Sequence, residues 1–322
     1  MLVFMLRRLF QAGLVMLVVA FIAFMLFQFV GDPVVFMLGQ DATPEKIQQL
    51  RQDLGLDEPF IVQFAHFVLN ALQGDFGVSL RQGAKVSGLI AERLPATLEL
   101  ALCAAIMALA VGIPMGVFAA LRPRHPLTRV LMTLSLLGVS LPTFLIGILL
   151  ILVFAVWLGW LPSFGRGQVV QLGAWSTGLL TRDGLSHLIL PALTLAIFQL
   201  TLIMRLVRAE MLEVLRTDFI KFARARGLSE RTIHYGHALR NTLVPVITIT
   251  GLQLGSLIAF AIITETVFQW PGMGLLFIQA VSHADIPVMA AYLCLISLVF
   301  VTINLVVDLL YLLVDPRLKE AR

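Results

Sequence analysis

The chain has 322 residues, of which 59% are hydrophobic and 13% charged, with a formal net charge of +4 and a mean hydropathy of +0.95. Soluble domains carry about 25% charged residues, so this chain has too little polar surface to keep a compact domain of its size in water. The composition excludes a soluble globular protein and indicates that lipid surrounds most of the chain.

Six long apolar stretches follow one another along the sequence. Each has about the 20 residues or more that a helix needs to cross a hydrocarbon core of roughly 30 Å. None shows the short alternating pattern of barrel strands. The predicted fold is therefore an all-α, polytopic membrane protein with six transmembrane helices, at 9–30, 96–121, 130–158, 187–206, 244–268 and 288–314.

Basic residues predict the orientation of these helices. With six spans, both termini and the loops 121–129 and 205–242 lie on one side, and they carry 16 of the 23 Lys and Arg residues. The opposite side carries 7, mostly in the long first loop. The positive-inside rule therefore predicts that both termini lie in the cytoplasm. The net charge reflects this bias and gives no reason to propose a nucleic-acid partner.

The whole chain, 1–322, is predicted to form one transmembrane domain with two polar excursions. The outer excursion, 31–95, contains a helix start at Thr43-Pro44-Glu45, with an N-cap hydroxyl, a proline at the first helical position and an acid in the first turn. Gly55 ends this helix, and two further helices are predicted at 60–72 and 86–94.

The inner excursion, 205–242, predicts a helix, a sharp corner and a second helix. Residues 209–226 contain no helix breaker, and Gly227 provides a left-handed C-cap. Ser229 is a predicted N-cap for a helix that starts at Glu230 and leads into the fifth span.

Apolar residues interrupt the charges of this inner loop. Phe219, Phe222 and Leu228 are predicted to be exposed, which is typical of a docking surface for another protein. The small residues Ala223 and Ala225 would let a partner approach the backbone closely. The alternative interpretation is a solvated basic loop that only satisfies the positive-inside rule.

Motifs for catalysis and energy conversion are absent from the sequence. It contains no phosphate-binding G-x-x-x-x-G-K-[ST], no H-E-x-x-H and no G-x-S-x-G, so we predict no catalytic residue, no bound cofactor and no metal site. Glu265 and Asp308 are interpreted as the only clear acids of the spans, near their ends. A proton- or sodium-driven carrier usually needs ionisable groups near the midplane. Energy therefore comes from another chain, or transport is passive.

Polar and small residues within the spans suggest two kinds of role. The polar residues either line a translocation path or form hydrogen bonds between helices; they are Ser135, Ser140, Gln199, Gln253 and Ser256. Two G-x-x-x-G patterns, 112–116 and 251–255, allow close helix packing, either within the chain or against a second subunit.

Several short strings, in this order and spacing, resemble the inner-membrane permeases of ATP-binding-cassette importers, in the dipeptide/oligopeptide/nickel branch. The resemblance covers essentially the whole chain. The strings are Arg7-Arg8-Leu9, Gly31-Asp32-Pro33, Gly74-Asp75-Phe76-Gly77-Val78-Ser79, Leu190-Pro191-Ala192-Leu193-Thr194-Leu195, Ala223-Arg224-Ala225-Arg226-Gly227-Leu228, Leu239-Arg240-Asn241, Glu265-Thr266-Val267-Phe268, Trp270-Pro271-Gly272-Met273-Gly274, Asn304-Leu305-Val306-Val307-Asp308 and Asp315-Pro316-Arg317. Of the E-A-A triplet in the family's cytoplasmic signature, only Ala223 is present.

The resemblance implies a non-catalytic permease subunit of the type I importer fold in the bacterial inner membrane. It implies a coupling helix that docks into a groove on a partner ATPase, formed by Asp218, Phe219, Lys221, Phe222, Ala223, Arg224, Ala225, Arg226, Gly227 and Leu228. Glu265, Trp270, Pro271, Gly272, Gly274 and Asp308 are the family-signature residues outside this helix.

The resemblance also implies partners and a substrate. The expected partners are a second homologous permease in a pseudo-twofold heterodimer, one or two ATPase subunits that hold ATP and Mg²⁺, an extracytoplasmic substrate-binding protein and membrane lipid. The outer helices and the 270–274 loop would face the substrate-binding protein. Short peptides are the expected substrate, imported by alternating access. Nickel chelates or glutathione are the alternative substrates. The alternative functions are a membrane-embedded enzyme, a secondary carrier and a passive channel.

Overall fold

The computed structural model of the chain describes residues 2–29 and 57–314, together with the isolated positions 43, 45, 46 and 48. The predicted outer helix that starts at Thr43 lies almost entirely outside this range, as do the motifs at 31–33 and 315–317.

Helices account for most of the described residues. They are α1 (Leu2–Phe29), α2 (Phe60–Leu72), α3 (Val86–Leu121), α4 (Pro126–Ser140), α5 (Thr143–Leu150), α6 (Arg182–Val214), α7 (Asp218–Ala225), α8 (Leu239–Val267), α9 (Met273–Ser282) and α10 (Ile286–Val314). A π-helical segment, Ile151–Trp157, continues α5, and a second, Thr232–Ala238, leads into α8. The strands β1 (Val170–Leu172) and β2 (Trp175–Thr177) form a small hairpin that the all-α prediction missed.

Four helices, α1, α3, α6 and α10, are long and apolar enough to cross a membrane, and two bent helix pairs raise the number to six if each pair is one span. The apolar runs therefore mark the right segments, although several helices extend beyond them. In particular, α3 begins at Val86 and is continuous with the second span, where a separate helix at 86–94 was predicted.

The third apolar run, 130–158, is not one straight helix as predicted. Helix α4 and the helix that starts at Thr143 meet at an angle of 113°. Pro142 lacks an N–H group, and it holds Leu141 in an extended conformation with φ −84° and ψ 134°. The chain therefore turns sharply at Leu141-Pro142 inside a continuous apolar sequence.

The chain divides into two compact units, and the first comprises Met1–Ala96, Gln171–Ser176 and Pro271–Val301. Aromatic packing joins α1 to α2 there: the ring of Phe24 lies 5.2 to 5.8 Å from those of Phe60, Phe64 and Phe67. Such pairs stabilise by about 0.5–1.5 kcal/mol each beyond the area that they bury.

The buried carboxylate of Asp285 anchors the loop that follows α2 in this unit. It accepts hydrogen bonds from Ser79 Oγ at 2.5 Å and from the backbone N–H of Leu80 at 3.2 Å. Phe76, in the same loop, packs against Ala23 and Cys294. The motif at 74–79 thus has a structural role of its own.

The second unit comprises Thr97–Val170, Thr177–Trp270 and Thr302–Arg322. Helices α3 and α6 approach closely at Gly112 and Gly116, and α8 approaches α10 where Gly251 faces Val307. At these three positions the predicted G-x-x-x-G glycines serve packing within the chain, which was one of the two interpretations of the pattern.

Replacing Gly116 with alanine is expected to destabilise the chain by about 1–3 kcal/mol, because the added methyl group would overpack the contact between α3 and α6. A Cβ atom there would lie 2.7 Å from the carbonyl oxygen of Met204 and 2.7 Å from Val207 Cβ. Thermal unfolding in detergent measures the change. Gly13→Ala in α1 is the matched control, since no described heavy atom lies within 4 Å of its Cβ position. A Gly116→Ala protein as stable as that control would contradict the prediction.

Candidate functional site

The predicted docking residues form a short separate helix, α7, in place of the single helix predicted over 209–226. Helix α6 ends at Val214, and Thr217 occupies the N-cap position of α7 with extended backbone angles, φ −69° and ψ 156°. The Thr217 hydroxyl donates to the carbonyl oxygen of Val214 at 2.6 Å. Local hydrogen bonding by threonine therefore breaks the helix where no glycine or proline marks a break.

Helix α7 has one buried face and one exposed face. Ile220 is fully buried and Ala223 is 7% exposed, so these two residues fix the helix to its own chain. Phe219 and Phe222 are 46% and 64% exposed, and Leu228 beyond the helix is 40% exposed. The three exposed apolar side chains form a surface that we call the docking surface.

Ala223 and Ala225 were both predicted to let a partner approach the backbone closely, but the structure places them differently. Ala223 lies on the buried face, whereas Ala225 is exposed. The argument that a small residue allows close approach by another protein therefore applies to Ala225 alone.

Gly227 turns the chain after α7, as predicted. Its φ of +77° lies in the left-handed region, which glycine adopts without steric cost. The Leu228 N–H donates to the carbonyl oxygen of Ala223 at 3.3 Å, closing the end of the helix. Ser229 Oγ accepts from the backbone N–H of Thr232 at 3.2 Å, so Ser229 caps the following helix. The predicted order of helix, glycine corner and helix is thus confirmed.

Charged side chains surround the docking surface. Arg224 donates from Nε to Glu230 Oε1 at 2.8 Å, and His234 Nε2 lies 3.0 Å from Glu230 Oε2. The hydrogen bond from Arg224, with its positive charge, lowers the pKa of Glu230, and the same bond raises the pKa of Arg224. Lys221 pairs with Asp218 at 2.8 Å, and Arg226 lies 5.8 Å from the centre of the Phe222 ring.

The five predicted path residues do not all lie together. Ser135 is buried and donates to the carbonyl oxygen of Met132 at 2.8 Å, a bond within its own helix, and Ser140 is exposed at the end of α4. Ser256 donates to Gln253 Oε1 at 2.9 Å.

Gln199 and Ser256 line a common cavity of about 190 Å³. The cavity lies where α4 meets α5, between α6 and α8, and Thr143 is its third polar lining residue; the other seven are apolar. Gln199 is 3% exposed. The structure thus brings two of the five predicted path residues to one cavity.

A buried ion pair lies in a region where the sequence analysis found no charge. Glu99, in α3, is a third acid beside Glu265 and Asp308, and the interpretation that those two were the only clear acids of the spans is wrong. Its Oε2 atom accepts from Arg166 Nη2 at 2.6 Å, and both side chains are at most 7% exposed. The Thr177 hydroxyl donates to Glu99 Oε1.

Two further contacts extend this network. Thr97 Oγ1 donates to Glu265 Oε1 at 2.6 Å, and the guanidinium of Arg166 lies 5.8 Å from the centre of the Trp270 ring. The loop that carries Arg166 is also bonded by its backbone, through Gly165 N–H to the carbonyl oxygen of Phe268 at 2.9 Å. The sequence contained two signals for this pair. Glu99 is a lone acid in an apolar run, and Arg166 is one of two basic residues in a short outer loop.

Comparison with known proteins decides the family. Residues 112–320 match the model described as binding-protein-dependent transport system inner membrane component, and residues 1–101 match the model for the N-terminal part of such components. The chain belongs to this permease family. It is therefore an ABC importer permease and a multi-pass protein of the inner membrane. The family implies ATPase and substrate-binding partners.

Similar proteins extend over the full length of this permease. The putative peptide transport system permease protein of Brucella abortus (strain 2308) is 41% identical over 317 residues, covering 98% of each chain. The dipeptide transport system permease protein DppB of Escherichia coli (strain K12) is 39% identical over 342 residues, covering 100% of each. The inward-facing MetNI methionine ABC transporter shares the fold, with a TM-score of 0.56 at 19% identity over 70% of this permease and 96% of that chain.

The signature residues of the permease occupy defined structural positions. Glu265 and Trp270 are almost fully buried, and the Trp270 N–H donates to the Glu265 carbonyl oxygen at 2.8 Å. Gly272 is the N-cap of α9, and Gly274 is buried in its first turn. Pro271 is half-buried beside them, and Asp308 is half-buried in α10. Their roles in transport stay predictions.

Proposed function

We propose that this permease carries short peptides across the bacterial inner membrane, driven by ATP that partner subunits hydrolyse. ATP and Mg²⁺ bind to those partners, and this chain supplies half of the translocation path. A second homologous permease supplies the other half in a pseudo-twofold heterodimer, and an extracytoplasmic binding protein delivers the peptide. The six-span topology, with both termini in the cytoplasm, belongs to the same proposal.

The docking surface is the observation that carries this proposal. Phe219, Phe222 and Leu228 expose apolar area to water beside a basic loop, which is costly unless another protein covers it. Buried Ile220 and Ala223 hold the helix against the rest of the chain. A force on α7 would therefore be transmitted to α6 and α8, which flank it in sequence. ATP-driven closure of the ATPases would then move the spans between two states, which is alternating access.

The peptide substrate is supported by the names of the relatives. Both full-length relatives described above are named as peptide or dipeptide transport permeases. Nickel chelates and glutathione are the competing substrates for the same architecture.

Co-purification followed by reconstitution tests the proposal. The tagged chain is extracted gently from its native membrane, and its stoichiometric partners are identified by mass spectrometry. We expect a second permease and one or two P-loop ATPases. The purified complex, placed in liposomes with its receptor, is expected to take up labelled short peptides when ATP is supplied. Isolation of the chain alone would overturn the docking argument, and uptake of a nickel chelate or glutathione in place of peptides would overturn the substrate.

A further inference from the structure

Gln199 is a polar side chain, almost fully buried, that lines the cavity described above. It is 3% exposed, and no side-chain hydrogen bond joins it to another described residue. A buried amide that leaves its hydrogen-bonding groups unpaired costs about 1–3 kcal/mol by mutational data. The residue lies 17 positions into α6, about 26 Å from the start of the helix at a rise of 1.5 Å per residue. The amide atoms of Gln199 are not sealed inside the protein, so the cavity that the side chain lines is where they can find a partner.

The cavity that Gln199 lines supplies a space for a hydrogen-bonding partner. Its volume of about 190 Å³ is below the roughly 300–1,000 Å³ of pockets that enclose a whole drug-sized ligand. A short peptide could therefore enter it only one segment at a time. Its ten described lining residues are all neutral. Because these lining residues carry no charge, they would neither favour nor reject a substrate that has charged side chains.

A second source of hydrogen bonds borders the same cavity. Thr143 lines it and is the first residue of α5. In the opening turn, the N–H groups of Leu145 and Ile146 donate to the Pro142 carbonyl oxygen, which leaves those of Thr143 and Phe144 without a carbonyl partner in their own helix. The break at Pro142 creates this helix start within an apolar run. In membrane transporters, interrupted helices place such free helix ends at substrate sites. The Ser256 hydroxyl is already bonded to Gln253.

We propose that Gln199 binds a main-chain peptide group of the transported peptide as it passes through this cavity, a proposal that rests on the function proposed above. A carboxamide has one acceptor and two donor hydrogens, and a peptide group has one donor and one acceptor, so the two can pair reciprocally. The Thr143 end of α5 offers a further donor to the same carbonyl group. The site recognises what all peptides share and not the side chains in which they differ.

The test uses the complete reconstituted importer with its receptor. ATP-driven uptake is measured for labelled tri-alanine and for tri-alanine methylated on both peptide nitrogens, which can no longer donate. Gln199→Met keeps the length of the side chain but removes both hydrogen-bonding groups. We expect uptake of tri-alanine to fall roughly five- to tenfold more than uptake of the methylated peptide, because only tri-alanine loses the hydrogen bond from its peptide N–H to Gln199.

The deciding quantity is the ratio of tri-alanine uptake to methylated-peptide uptake, compared between the variant and the wild type. The receptor is the same in both complexes, so its own preference for one peptide cancels in this comparison. Thr194→Val is the matched control: Thr194 is buried on the same helix, bonds to the Leu190 carbonyl oxygen and does not line the cavity. Its ratio is expected to stay at the wild-type value. Gln199→Asn retains the amide and is expected to give an intermediate ratio, and it serves as the test if the methionine variant does not assemble.

An unchanged ratio in Gln199→Met, whether uptake of the two peptides stays constant or falls equally, would overturn the Gln199 site while leaving peptide import intact. Failure of the wild-type complex to take up tri-alanine would overturn peptide import, and the Gln199 site with it. The two failures are therefore distinguishable.

Discussion

Replacing Arg166 with methionine is expected to destabilise the folded permease by about 3–5 kcal/mol, because the Glu99 carboxylate would be left buried without its cation. The pair is joined at 2.6 Å, and the two side chains are 7% and 2% exposed. Thr177 would still donate to Glu99, but a hydroxyl group offsets only part of the cost of burying a charge. Thermal unfolding in detergent measures the loss.

Two comparisons separate the buried charge from a general packing defect. The double variant Glu99→Leu with Arg166→Met removes both charges, so it is expected to recover part of the stability that the single variant loses. Lys221→Met breaks the Lys221–Asp218 pair at 2.8 Å, whose side chains are 67% and 96% exposed, and it should change stability by less than about 1 kcal/mol. An Arg166→Met protein as stable as the Lys221→Met protein would refute the importance of the buried pair.

The apolar runs of the sequence coincide with the long apolar helices of the fold, because lipid demands internal hydrogen bonding over the whole length of such a run. The sequence was not sufficient to locate the breaks of these helices. Pro142 was visible within the run 130–158, but prolines are tolerated in many membrane helices, as Pro191 inside α6 and Pro245 inside α8 show here. Whether a proline kinks a helix or divides it depends on the neighbouring helices, which hydropathy does not describe.

The candidate sites were predictable to different degrees for a related reason. The corner at Gly227 depends on residues within about ten positions of one another, so turn and cap rules predicted it. The partner of Glu99 is 67 residues away in an outer loop, and no local rule joins the two. Gln199 was recognised as polar, but the cavity that it lines is formed by helices distant in the sequence. Contacts between distant segments therefore account for most of what the sequence did not predict.

Gly227→Val is expected to weaken docking of the ATPase strongly while leaving membrane insertion intact. Gly227 has a φ of +77°, and a side chain costs about 1–2 kcal/mol in that left-handed conformation. No described heavy atom lies within 4 Å of its Cβ position, so the cost comes from the backbone and not from a clash. Valine would move the chain out of this conformation and displace Leu228 from its native position. At tenfold for each 1.4 kcal/mol, the native corner should become roughly 5- to 30-fold less populated.

Co-purification of the ATPase and its stimulation by peptide-loaded receptor measure this effect. Gly159→Val is the matched control, since Gly159 has a φ of +63°, has no described heavy atom within 4 Å of its Cβ position and lies outside the docking loop. Gly227→Asn should retain most of the activity, because asparagine tolerates the left-handed region better than valine does. If the complex that contains Gly227→Val still hydrolyses ATP in response to loaded receptor, the corner does not position the docking surface. If Gly159→Val fails equally, the defect comes from strained loops in general and not from docking.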